Sequence, residues 1–285
     1  MLPDMIGSML LVIVLQTPAA GAQAGNATAA RQAFDEGNAL FEKLENEKAL
    51  AAYDRAIGLD KTLPDAHLGR CRTLARLQRH DEAIASCSEA IDLKPDFAAA
   101  FLDRGHFLIN ARKADRALPD LARARTLNAD PYGVAYHLAL ANYLTGEYQK
   151  AAVEYDGCLA DAKTVDNTIA CSAWQYLALL RAGRRENAAK LLERATPDVP
   201  VQSSAAYLDR LLLFKGVKTE EEVARAMEKD NLQLPTIAYG LGVWHLVNGR
   251  EARAREYFRK ATSPPAQQSA FGSVAAYYEL QRMNK

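Results

Sequence analysis

An all-α solenoid of antiparallel helix pairs is predicted by three features of the sequence. Small residues recur every 34 positions without an insertion, at Ala49, Ala83, Ala117 and Ala151, at Ala56, Ala90, Ala124 and Cys158, and at Gly37, Cys71, Gly105 and Ala139. A fourth series in the same phase, Tyr53, Cys87, Leu121 and Tyr155, is mostly bulky. Apolar residues within each unit fall three and four apart, so each unit holds two amphipathic helices. Small side chains are required where two helices cross most closely, and the larger one fills the gap beside them.

This pattern resembles the tetratricopeptide-repeat family, whose unit is a pair of antiparallel helices over 34 residues. The resemblance implies a right-handed superhelix in which each unit packs only on its neighbours, and a mode of action that is binding.

Four regular repeats are expected over residues 30–163. In the first, helix A carries Phe34, Gly37 and Leu40, and helix B carries Ala49, Tyr53, Ala56 and Ile57. Repeat two begins at Pro64, repeat three near Phe97 and repeat four near Pro131; proline is tolerated at a helix start because the missing N–H has no partner there. Pro119 is expected in about the first turn of its helix B, where it shifts the start or kinks the helix. Ala188 follows Ala151 by 37 residues, which predicts three inserted residues around Lys163 to Ile169. Residues 164–285 then hold degenerate and terminal repeats. Repeat five carries Trp174, Leu177, Ala178, Gly183, Ala188, Leu192 and Ala195. A degenerate pair follows over 203–230, joined at Gly216, with Thr219 and Glu222 as a capping box. The sixth repeat runs from Pro235 through Gly242, Ala254 and Phe258, and a last helix over about Ala266 to Met283 covers the open end. The expected count is about thirteen helices and no strands.

Residues 1–24 read as an export signal, followed by a short linker over 25–29. Met9 to Leu15 is a short apolar run, too short to span a bilayer, and small residues follow for cleavage after Ala22 or Ala24. Asp4 and the lack of Lys or Arg before the run depart from the usual signal. The chain has no cysteine near the cleavage site, so the expectation is a soluble periplasmic protein of a bacterium rather than a lipid-anchored one.

An exported protein with four cysteines suggests two disulfides. Cys71 stands at position 8 of helix A and Cys87 at position 24 of helix B in repeat two, level across an antiparallel pair. Cys158 ends helix B of repeat four and Cys171 opens helix A of repeat five. The pairs Cys71–Cys87 and Cys158–Cys171 follow; the alternative is four small core residues standing where Gly or Ala usually stand.

Helix A of each repeat lines the inside of the superhelix in this family. The resemblance assigns a protein-binding groove to Phe34, Asn38 and Phe41 in repeat one, Leu68, Arg72 and Arg76 in repeat two, Leu102, His106 and Asn110 in repeat three, and Tyr136, Leu140 and Tyr143 in repeat four. Aromatic residues and arginines among a few donors suit an extended peptide or a partner's helix. For some of them, Phe41 and Tyr143 especially, packing on the next repeat is the competing role. The chaperone-binding branch of the family clamps a C-terminal carboxylate with Lys, Asn and Arg. Only Asn38 matches that set here, with Phe34, Gly69, Ala99 and Asp103 at other clamp positions, so such a clamp is not expected.

Lys and Arg total 35 and Asp and Glu total 35, and the basic residues are scattered, so nucleic acid is not an expected partner. No serine–histidine–aspartate set, phosphate loop, HExxH motif or CxxC pair is present, and no cofactor, metal or enzymatic activity is expected.

The second half narrows the resemblance. Trp174 to Leu180, Leu211 to Met227, Tyr239 to Ala261 and the helix with Tyr277, Tyr278, Glu279 and Leu280 are similar to new lipoprotein I, a repeat family of the bacterial envelope. That resemblance implies a homodimeric adaptor that presents a peptidoglycan hydrolase to a C-terminal processing protease. A different reading of the same solenoid is an assembly factor for outer-membrane or secretion machinery. Residues 160–230 are the expected dimer surface.

Overall fold

The structure is a computed structural model that describes residues 19–229, 231–263 and 269–284, with side chains from residue 25 on, apart from 228 and 229. The apolar run Met9 to Leu15 lies outside the described residues. Fifteen helices and no strand occur among them; the seven helix pairs and the last helix read from the sequence add to that number, so the expected count of about thirteen fell two short.

The first eight helices form four pairs: α1 (Ala19–Glu42) with α2 (Asn46–Leu59), α3 (Pro64–Arg76) with α4 (His80–Leu93), α5 (Ala98–Asn110) with α6 (Ala114–Thr126), and α7 (Pro131–Thr145) with α8 (Tyr148–Asp161). The second helices of these pairs start 34 residues apart, at Asn46, His80, Ala114 and Tyr148. The turn inside each pair holds one residue in the left-handed region, first Leu44, Gln78 and Arg112 with φ of 61°, then Gly146 at 92°. Glycine relieves the Cβ clash there, and the three non-glycine turns carry that strain.

Helix α6 starts in register despite Pro119. The proline sits in the second turn, not the first, where it removes the bond from residue 119 to the Asp115 carbonyl without moving the start. The expected insertion is also elsewhere. Helix α9 (Val165–Arg181) begins in phase, and Ala173, fully buried, lies 34 residues after Ala139. Helix α10 (Arg185–Leu192) begins 37 residues after Tyr148, so the three extra residues fall after Ala173 and lengthen α9, leaving the junction at 163–169 in register.

Packing within the pairs follows the small–large series. A Cβ added at Gly37 would stand 2.7 Å from the Tyr53 ring, at Gly105 2.7 Å from Leu121, and at Gly242 2.5 Å from Phe258. In repeat two the same crossing holds Cys71 and Cys87, bonded with a Cα–Cα distance of 5.3 Å. Cys158 and Cys171 join α8 to α9 at 6.1 Å. All four are fully buried, so the cysteines also serve as the small core residues of the competing reading. A link closing a loop of this size contributes about 3 kcal/mol.

The degenerate pair is α11 (Ala205–Lys215) and α12 (Glu220–Lys229), and the last repeat is α13 (Leu234–Val247) and α14 (Glu251–Thr262). Gly216 ends α11 in the left-handed conformation at φ 79°. The capping box forms as expected: Thr219 N–H donates to Glu222 at 2.8 Å and Glu222 N–H to the Thr219 hydroxyl at 3.2 Å. The final helix, α15 (Phe271–Met283), packs against α13 and α14 as a cap. It also reaches back to α5 and α7. The Tyr278 hydroxyl accepts from Ala114 N–H at 3.0 Å and donates to the Arg112 carbonyl at 2.9 Å, and Arg282 donates to the Leu144 carbonyl.

Gly105→Val is expected to destabilise the fold by about 1–3 kcal/mol in urea denaturation, because its side chain drives into Leu121. Adding Leu121→Ala should recover part of that loss, so that the double variant is more stable than the sum of the two singles predicts.

Candidate protein-binding groove

The first helices of the repeats lie side by side on the concave face, and the structure divides the twelve expected groove residues into an open and a closed set. On α1 and α3 the face is open. Asn38 is exposed and accepts a 2.7 Å hydrogen bond from the Tyr53 hydroxyl. Arg76, also exposed, lies flat on Phe41 with its guanidinium carbon 3.3 Å from the ring centre, and donates to the Phe41 carbonyl at 2.7 Å. This stack holds the planar cation in one orientation and covers part of the ring. Arg72 pairs with Asp103 of α5 at 2.6 Å and remains 44% exposed. Burial raises the Asp103 carboxyl above its ordinary value, while the Arg72 guanidinium pulls it down.

Phe34 and Leu68 serve packing. Phe34 tilts against Tyr53 at 6.0 Å, and Leu68 is buried with Leu50 and Leu74. Leu102 is half-buried against the α7 side of the core. Asn110 ends α5 and lines a polar hollow of about 310 Å³ with Gln78, His80 and Lys113, beside the turns rather than in the groove.

Repeat four is closed, which corrects the expectation for Tyr136, Leu140 and Tyr143. Leu140 and Tyr143 are 0% exposed and Tyr136 is buried. The cause is the C-terminal half. The Tyr143 hydroxyl bonds that of Tyr239 on α13 at 2.7 Å, and its ring meets Trp174 edge-on at 5.5 Å. Arg210 of α11, 1% exposed, stands over Trp174, Tyr207 and Tyr239 at 4.9, 5.2 and 5.5 Å, and donates to the Thr236 carbonyl at 3.3 Å. Glu279 of α15, also buried, binds Arg181 at 2.8 Å and Arg282 at 3.0 Å. Arg181 occupies the last turn of α9, the part that the three extra residues lengthen.

His106 marks the border between the two sets. Its ring stacks on His137 at 4.4 Å, and Phe271 at the start of α15 covers both, at 5.5 and 5.8 Å. Burial holds both rings neutral. It takes His106 well below its ordinary value, with His137 adding to the effect, and takes His137 down to about 4, partly offset by the 2.7 Å bond that its Nδ1–H donates to the Gly133 carbonyl. A neutral stacked pair beneath a phenylalanine is packing and supplies no general base. Phe271, Tyr207 and Arg210 lie outside the 34-residue register, and that is why reading the period could not find them. Among the described residues no helix is long and apolar enough to cross a membrane, and no cluster suited to a metal ion occurs.

Comparison with known proteins agrees with the fold. A tetratricopeptide-repeat family profile matches residues 34–96 and 102–159, so this part of the chain carries tetratricopeptide repeats. The TPR repeat-containing thioredoxin TTL4 of Arabidopsis thaliana is 30% identical over 160 residues, which is 50% of this chain and 22% of that protein. The Protein STIP1 homolog of Dictyostelium discoideum is 28% identical over 32% of this chain and 16% of its own length. The chain thus spans less than a quarter of these curated relatives. Among solved structures, YrrB, described as a TPR protein with an unusual peptide-binding site, superposes with a TM-score of 0.55 at 21% identity, over 70% of this chain and 97% of that one. MamA superposes with a TM-score of 0.53 at 23% identity, over 58% and 88%. These two likenesses are likenesses of fold.

A lowered histidine value fixes the sign of an acid effect. The unfolded chain takes up protons near pH 6.5 while folded His137 does not until about pH 4, so its contribution is complete above pH 6.5 and is lost as pH falls through that window. Urea denaturation between pH 7 and 4.5 should show stability falling, by up to about 3 kcal/mol from this group. His137→Gln should flatten that slope.

Proposed function

We propose that the chain is a non-enzymatic protein-binding scaffold of the bacterial cell envelope whose partner lies in the open groove of repeats one to three. The observation that carries this reading is the exposed surface on α1 and α3, where Asn38, Arg72 and the Arg76–Phe41 stack face solvent on the concave side. Arginine and aromatic anchors of this kind dominate protein recognition, and a preformed stack lowers the ordering cost of binding. The tetratricopeptide repeats and the peptide-binding site of YrrB support a protein or peptide as the ligand.

The envelope location is supported by the signal-like sequence of residues 1–24 and by two cysteine pairs at bonding distance, which an oxidising compartment maintains. The resemblance to new lipoprotein I supplies the partners: a C-terminal processing protease and a peptidoglycan hydrolase, brought together by raising their local concentration.

Charge reversal tests this directly. The chain carrying Arg72→Glu and Arg76→Glu should recover such partners from envelope extract at least about tenfold less well than the native chain while remaining folded by circular dichroism, with some loss of stability because Asp103 loses its ion pair. Equal recovery by both would rule out the open groove as the binding site.

A further inference from the structure

The second helix of repeat five stops early. Helix α10 has 8 residues where α2, α4 and α8 each have 14, and the chain continues as a loop over 193–204. That loop is fixed at both ends. Asp166 accepts from the N–H groups of Gln202, Ser203 and Ser204 at 3.1, 2.7 and 2.7 Å, bonds that hold its carboxyl down to about 2. Lys215 donates to the Ala195 carbonyl at 2.8 Å.

Between α9, α11 and this loop there is a pocket of about 380 Å³. Its floor is Ile169 and Leu211, both buried, and Val199 of the loop forms a wall. Ser172 lines it with a hydroxyl that has no hydrogen-bond partner among the described residues. Lys163 and Arg194 stand exposed at the rim, neither in an ion pair nor in a hydrogen bond among the described residues. The Cys158–Cys171 bond spans the short connection that carries Lys163, and so fixes the rim.

We propose that this pocket binds the free C-terminus of a partner protein whose last residues are apolar. An apolar floor of this size accepts a buried side chain, which supplies the affinity. The two unpaired cations complement a carboxylate next to that side chain, and rim charges of this kind set selectivity more than strength. The Ser172 hydroxyl suits a peptide amide, a group that a fatty acyl chain lacks. The site is on repeat five, apart from the open groove of α1 and α3, and it stands independently of that groove's function. Two such sites on one chain would let it hold two proteins at once.

The test is calorimetric titration of the full chain with a pentapeptide ending in leucine and phenylalanine, as the free acid and as the C-terminal amide, and with octanoate. The acid should bind at least about tenfold more tightly than the amide and than octanoate. Lys163→Glu with Arg194→Glu should weaken the acid about tenfold. Val199→Trp, which fills the pocket, should abolish binding without altering thermal stability. The groove variant with Arg72→Glu and Arg76→Glu should bind the acid as the native chain does, which separates this site from the groove. No saturable binding of the acid up to about 1 mM, or equal affinity for acid and amide, would overturn the proposal. Tighter binding of octanoate would overturn it as well, and assign the pocket to fatty acids.

Discussion

The close crossing of two helices within each repeat is the constraint on which the rest of the structure depends. A residue in the first helix must be small because the one sixteen positions later, in the second helix, fills the same space: Gly37 beneath Tyr53, Gly105 beneath Leu121, Gly242 beneath Phe258. Repeat two meets the same constraint with a covalent bond, Cys71 to Cys87. Each crossing fixes the angle within one pair, and stacked pairs then pass that geometry along the chain. The direction in which Asn38, Arg72 and Arg76 project is a consequence of these crossings.

The second constraint is closure. Arg210 is buried against three aromatic rings, and Glu279 is buried between two arginines. Burying such groups is costly, and for Arg210, whose Nε and Nη1 have no hydrogen-bond partner among the described residues, the three ring faces and the Thr236 carbonyl offset only part of that cost; each group nevertheless ties together helices far apart in sequence. Together with Tyr143–Tyr239 they fold the C-terminal half against repeats three and four. The concave face is consequently divided at His106, with the N-terminal part left open.

Local features were legible in the sequence because local physics determines them. The period located the second-helix starts, the Thr219–Glu222 box and Gly216 marked the α11–α12 turn, and the level positions of Cys71 and Cys87 predicted their pairing. What the sequence did not disclose was long-range. Leu140 has the same helical phase as the exposed Asn38 and Arg72, yet it is 0% exposed where the C-terminal half packs on repeat four, whereas Tyr143 shares its phase with Ala75 and Ile109, which are buried as well. The length of α9 was misplaced for a related reason: counting from Ala151 to Ala188 measures an insertion without locating it, whereas buried Ala173 shows that the register survives through the first part of the helix. Pro119 was expected nearer the helix start, but the 34-residue register puts that start at Ala114, five residues before it.

Partners are proposed to engage the open concave surface of repeats one to three. Site-specific photocrosslinking measures this most directly, with a photoreactive residue placed at Asn38 on the concave face or at Val153, an exposed residue of the outer helix α8. A crosslinked partner is expected from position 38 in envelope extract and none from position 153. A partner captured from 153 and absent from 38 would contradict this proposal and place recognition on the convex side.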